Sequence, residues 1–145
     1  MFLDASAVVA ILTREEGAHD LTAKITSSRG PIYYSSTTVF EAVIAISRKM
    51  AVNRYGEQKP TPPDFIKRAQ ENLENFLQSV HAVEVDLPAG LHATALEAAR
   101  TYGRFVGHPA RLNFGDCFSY AAAKSLKTPL LFVRDDFAKT DIKIA

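Results

Sequence analysis

The chain has little cysteine and no strong charge of either sign. Cys117 is its only cysteine, so it has no internal disulfide, no cysteine-based zinc site and no stapled secreted scaffold, and a reducing compartment is expected. Seventeen basic residues against sixteen acidic ones leave a formal charge of +1, which gives no global field to attract nucleic acid. Any contact with RNA or DNA must therefore be local. No segment reaches the roughly 18 unbroken apolar residues of a membrane span. The opening Met1-Phe2-Leu3 has no basic stretch or signal-like apolar run ahead of it, so a cytoplasmic protein without membrane contact is expected. Internal repeats and low-complexity tracts are also missing. None of His19, His81, His92 and His108 stands in a triad or a ligand pair, and each reads as a surface or packing residue, with His108 in the loop leading to Asp116.

What remains is an ordinary globular composition, 47% hydrophobic and 23% charged over 145 residues. That is the size of one domain, able to bury roughly 68–70% of its unfolded surface. Short apolar runs alternate with helix-like segments. Phe2-Leu3, Ile32-Tyr33-Tyr34, Ala82 to Val85 and Leu130 to Val133 read as strands, and Ile142 to Ile144 is a candidate last edge strand. Between them lie helical patterns from Ala5, from Glu15 to Ser28, from Thr37 to about Met50, from Phe65 to Val80, from Pro88 to Arg104 and from Asp116 to Lys127. Residues 51 to 63 are polar and end in Pro60-Thr61-Pro62-Pro63, which reads as a proline-rich loop. The alternation predicts a single α/β domain over 1–145, three-layered, with a central parallel β-sheet flanked by helices.

Acids recur where apolar runs give way to helices: Asp4, Glu41, Asp116 and the pair Asp135-Asp136. The carboxyl ends of strands in an open parallel sheet converge on one crevice, so these side chains are expected to meet. Each has a simpler reading. Asp4 and Asp116 can cap the helices that follow them, Glu41 lies three after Thr38 at capping-box spacing, and Asp135 or Asp136 can stabilise a turn. Capping does not explain why Asp4 lies between Leu3 and Val8, or Asp116 between Phe114 and Phe118, because a carboxylate in apolar surroundings is costly to ionise without a partner charge. Several acids together repel, and a cation removes the penalty. Oxygen donors without cysteines or paired histidines suit Mg²⁺ or Mn²⁺, and such a site supports metal-dependent hydrolysis of a phosphodiester.

The runs Phe-Leu-Asp-Ala-Ser-Ala at 2–7, Leu-Asn-Phe-Gly-Asp-Cys-Phe-Ser-Tyr-Ala at 112–121 and Leu-Leu-Phe-Val-Arg-Asp-Asp-Phe-Ala-Lys-Thr-Asp-Ile at 130–142, with Glu41 on a helix after a strand, resemble the PIN-domain ribonucleases. Among these they are most similar to the VapC-like toxins of type II toxin–antitoxin pairs. The resemblance implies a PIN-like fold and a metal-dependent endoribonuclease acting as a toxin. It further implies an antitoxin partner that blocks the acidic groove, and a homodimer. By it Asp4, Glu41 and Asp116 are catalytic, metal-holding acids. Asp136 before Phe137 is the best match for the fourth, with Asp135 and Asp141 as alternatives. Ser6, Asn113 and Asp135 are supporting residues. Arg134 stands where relatives often carry glycine.

Arg104, Arg111 and Arg134, with Lys124 and Lys139, are candidate phosphate contacts near the same loops. Tyr33 and Tyr34 read first as strand residues and second as base-stacking ones. A phosphatase of the Asp-x-Asp type needs a carboxylate where this chain has Ser6. The alternative outside nuclease chemistry is a receiver-like domain, or an acidic-pocket interaction module that has lost activity. The receiver reading requires Asp86, two before Pro88, as phospho-acceptor.

Overall fold

The computed structural model describes residues 1–133 and 137–145. The strands are short: β1 Phe2–Leu3, β2 Tyr33–Tyr34, β3 Val83–Glu84 and β4 Leu130–Leu131. The helices are α1 Ala5–Thr13, α2 Ala18–Thr26, α3 Ser36–Tyr55, α4 Pro63–Ser79, α5 Leu91–Tyr102 and α6 Phe114–Ser125. All strand pairs are parallel and the sheet order is β3-β2-β1-β4. The expected α/β architecture with a central parallel sheet is therefore present.

Side chains of successive strand residues point to opposite faces, and β1 and β4 each place an apolar residue on both. Leu3 and Leu131 join one core with Val8, Leu21, Ile25, Ile46, Leu73 and Leu77 from α1 to α4. Phe2 and Leu130 join a second core with Leu91, Ala95 and Ala98 of α5, Cys117 and Ala121 to Ala123 of α6, and Phe137. This is the three-layered arrangement. Alanines on α5 and α6 let these helices pack closely over the sheet.

Two elements differ from their sequence patterns. The helix read as ending near Met50 continues to Tyr55, so the proline-rich connection is 56–62 rather than 51–63. Ala51 is fully buried, Tyr55 stacks on Phe65 of α4 at 5.8 Å, and Gly56 at φ 84 ends the helix. Polar composition hid a helix whose last turn is held by tertiary contacts. The segment at 142–144 makes only an isolated parallel bridge, Ile144 with Leu130. The receiver-like reading also fails here, because Asp86 follows β3, which is an edge strand and not a central one.

The strand ends position the site. Asp4 follows β1 directly, and Ser35 follows β2 and caps α3, its hydroxyl accepting from the Thr38 N–H. Thr38 in turn donates to the Leu3 carbonyl at 3.3 Å, which ties the start of α3 to β1. Ser35→Ala is expected to cost about 0.5–2 kcal/mol, the usual range for a lost N-cap. Denaturant unfolding checks this, and a loss below a few tenths would show that α3 is positioned by packing alone.

Candidate metal centre

A cavity of about 200 Å³ opens at the carboxyl ends of β1 and β4, and Asp4, Ser6, Glu41, Asn113 and Asp116 all line it. Acids separated by up to 112 positions thus meet in one place. Glu15, Lys49, Val133 and Phe137 complete much of the wall.

Asp4 is 2% exposed. Its Oδ2 accepts from the Ser6 N–H at 2.9 Å and from the Ser6 hydroxyl at 2.5 Å. The Ser6 Oγ also accepts from the Val133 N–H at 3.1 Å, so one hydroxyl fixes Asp4 and ties the chain leaving β4 to the start of α1. The other oxygen, Asp4 Oδ1, is buried without a hydrogen-bond partner. Buried polar atoms are almost always satisfied, so this oxygen is suited to something that is not a protein donor. The capping role read from sequence is real, but it occupies one oxygen only.

Asp116 does not begin its helix. Asn113 is the N-cap of α6, and Asp116 lies at the third helical position, where the two form a reciprocal capping box. Asp116 Oδ2 accepts from the Asn113 N–H at 2.7 Å, and the Asn113 side chain accepts from the Asp116 N–H at 3.1 Å. The box holds the Asp116 carboxylate against the cavity wall.

Glu41 is the sixth residue of α3, inside the helix, so the capping-box alternative with Thr38 does not apply. Burial first, then the Asp4 and Asp116 charges, push its carboxyl from 4.5 up to about 7. Room for it comes from Gly115, where a Cβ would stand 1.9 Å from Glu41 Oε2 and 2.6 Å from its Cδ.

Asp135, Asp136 and Arg134 lie outside the described residues. The residues on either side of them, Val133 and Phe137, both line the cavity. Asp141 does not line it: it accepts from the Tyr120 hydroxyl at 2.5 Å and from Lys124 at 2.6 Å. Asp141 and Lys124 thereby satisfy one another instead of serving the site. Lys139 donates to the Pro109 carbonyl. Arg104 lines a neighbouring groove with Glu41, Phe114 and Gly115, whereas Arg111 sits in an exposed turn at φ 51. His108 accepts from the Ala110 N–H and packs edge-on against Tyr102, a structural role. Tyr33 and Tyr34 pack against the two cores, one on each.

Sequence reasoning missed Glu15 and Lys49, which form an ion pair in the cavity wall. Lys49 follows Glu41 by eight positions on α3, a spacing that places both on one helix face. That was the available signal. For Glu15, just beyond α1, no pattern marks it.

Among the described residues, no group of three or more Asp, Glu, His or Cys side chains is arranged to hold a metal ion. The donors nevertheless fit a hard ion that keeps several waters and takes one or two carboxylates. Asp4 Oδ1 is a buried oxygen without a donor, and Glu41 is raised first by burial and then by the charges of Asp4 and Asp116.

The fold and the site define a parallel α/β domain with an acid-lined cavity at its strand ends. The PIN domain family model matches residues 1–143, and the chain belongs to that family. A VapC ribonuclease of Rhizobium meliloti is 38% identical over 97% of this chain and 98% of its own length. Ribonuclease VapC42 of Mycobacterium tuberculosis is 37% identical over the whole chain and 98% of its own length. The crystal structure of Mycobacterium tuberculosis VapC20, described as a sarcin-ricin loop cleaving toxin, superposes with a TM-score of 0.67 at 16% identity, covering 99% of this chain and 97% of that one. That likeness confirms the fold.

Two measurements test the electrostatics. The fold raises the Glu41 pKa, so between 4.5 and about 7 the folded protein keeps a proton that the unfolded chain has lost. Its contribution to stability is therefore present at the acid end of that window and declines as pH rises. In chelator, the melting temperature of Glu41→Gln relative to wild type should climb across this window, and a constant difference would contradict the assignment. Gly115→Ala should push the Glu41 carboxylate outward into solvent and return its titration toward 4.5. Stability in chelator should change by less than about 1 kcal/mol, because alanine is favoured in a helix. An unchanged Glu41 titration, read by NMR, would show that the backbone yields instead.

Proposed function

We propose that this protein is a Mg²⁺- or Mn²⁺-dependent endoribonuclease and the toxin of a toxin–antitoxin pair. The observation that carries the reading is the buried Asp4 carboxylate, with one oxygen clamped by Ser6 and the other unpartnered, in a cavity it shares with Glu41 and Asp116. Full-length relatives named as ribonucleases at 37–38% identity support it.

In this reading Asp4, Glu41, Asp116 and Asp136 hold the ion, and Asp135 is a supporting residue. Bound there, the ion supplies positive charge to the in-line displacement at phosphorus and activates a water. The chain's own residues orient and exclude. Ser6 fixes the Asp4 carboxylate, and the Asn113 capping box fixes that of Asp116. Glu41, admitted to the cavity by the missing side chain at Gly115, adds its carboxylate to the same site. The Cys117 thiol is not an activated nucleophile, because burial and the Asp116 charge push it up to about 11 and leave it protonated. Arg104, in the groove that adjoins Glu41, is the described arginine best placed to receive a flanking phosphate.

A cavity rich in carboxylates also accepts an arginine or lysine from a protein. We assign that role to the C-terminal segment of a cognate antitoxin, acting on a homodimeric toxin in the cytoplasm. Among the described residues no helix is long and apolar enough to cross a membrane.

Asp4→Asn and Asp116→Asn are each expected to lower RNA cleavage by at least about a thousandfold, since each removes charge from the reacting centre. Both should melt in chelator at or slightly above the wild-type temperature, because mutual repulsion falls. Millimolar Mg²⁺ or Mn²⁺ should raise the wild-type melting temperature through binding to the native state and should leave the variants nearly unmoved. Full cleavage by either variant would refute the assignment.

A further inference from the structure

The cavity wall holds one feature that the carboxylate reading leaves unused. Glu41, Ala45 and Lys49 follow one another at intervals of four on α3 and all line the cavity, with the small Ala45 leaving space between the two charged heads. Lys49 is the one basic side chain among the described residues of that wall, facing the acids Asp4, Glu15, Glu41 and Asp116. Its ammonium is paired with Glu15, a carboxylate that also accepts from the Thr13 hydroxyl at 2.9 Å.

We propose that Lys49 is a substrate-contacting residue, parked on Glu15 in the RNA-free protein and transferred to a phosphate oxygen of the RNA strand as it enters the cavity. The inference rests on the nuclease reading and adds a residue to it. Carboxylates hold a cation but repel the phosphodiester, so the site also needs a positive group aimed at the substrate. Lys49 is placed for this and is free to move. Its side chain is 45% exposed and that of Glu15 38%, and a pair so open to water is weak. An ammonium on a flexible four-carbon stem can exchange one oxyanion for another without moving the helix. Joining α1 to α3 does not require the pair, because Val8, Ala42 and Ile46 already pack these helices together in the core.

The test separates contact from scaffolding, because Lys49→Met and Glu15→Gln break the same ion pair. Binding is followed by fluorescence anisotropy with a labelled single-stranded RNA of random sequence in millimolar Ca²⁺, across a salt series, and cleavage by incubation of total cellular RNA in Mg²⁺. Lys49→Met should bind about tenfold more weakly, and its slope of log affinity against log salt should be shallower by about 0.7–0.9, one phosphate contact. Lys49→Gln should do the same if the methionine variant folds poorly, and Lys49→Arg should restore the slope. Glu15→Gln, with the ammonium released, should bind at least as tightly as wild type. An unchanged affinity and slope in Lys49→Met, or an equal loss in Glu15→Gln, would overturn the inference while wild-type cleavage stands. Wild-type protein that neither binds nor cleaves RNA would overturn the nuclease reading itself, and this inference with it.

Discussion

Like charges forced into one small space set the terms for the rest of this protein. β1 lies between β2 and β4 in the sheet, so the residue that leaves it, Asp4, is enclosed by the elements that follow both neighbours. α3 leaves β2 and carries Glu41 to the same spot, and α6 packs across the sheet and delivers Asp116. The surrounding contacts keep those charges from moving apart. Ser6 clamps one Asp4 oxygen, the Asn113 box clamps Asp116, and the missing side chain at Gly115 admits Glu41. The protein is preorganised around a repulsion that it does not itself relieve, and one buried oxygen, Asp4 Oδ1, is left over. The proposed cation is the natural complement of that arrangement.

The layered fold was readable because its strands are short buried runs. In Phe2-Leu3 and Leu130-Leu131 both residues are fully apolar and each faces a different core, which is the pattern of a parallel sheet covered on both sides. The convergence on one cavity was readable in part from strand polarity: Asp4 follows β1 directly, whereas Glu41 lies inside α3 and Asp116 in the first turn of α6. Less was legible where local and tertiary effects compete. Composition alone made 51–55 look like loop, although Ala51 is buried and Tyr55 stacks across to α4. The helix start at Phe114 rather than Cys117 turned Asp116 from a presumed cap into the third residue of a capping box. Glu15 and Lys49 meet across 34 positions, and no periodicity within either segment announces such a pair. The fourth acid, Asp135 or Asp136, falls outside the described residues, while Asp141 is committed to Tyr120 and Lys124.

The charged residues divide by what they face. Asp141, Lys124 and Tyr120 form a closed group that pins the C-terminal segment to α6, and their hydrogen bonds satisfy one another. Arg48 is likewise spent on the carbonyls of Glu57 and Lys59, holding the connection between α3 and α4. Around the cavity the balance is reversed: acids outnumber the single described lysine, and an acid is raised toward neutrality. Perturbed titration combined with an unsatisfied buried oxygen is the pattern expected where a fold stores electrostatic cost for chemistry and not for stability. A near-neutral net charge is compatible with this, because the field that matters is local.

What sits beside Asp4 Oδ1 in the metal-loaded protein is decisive. Crystals grown with Mn²⁺ and measured for anomalous scattering should show a strong peak at ligating distance from that oxygen, about 2.0–2.2 Å for a small hard cation, within the cavity shared with Glu41 and Asp116. A well-ordered cavity with no anomalous density, in which Asp4 Oδ1 is met by water or a protein donor instead, would contradict it.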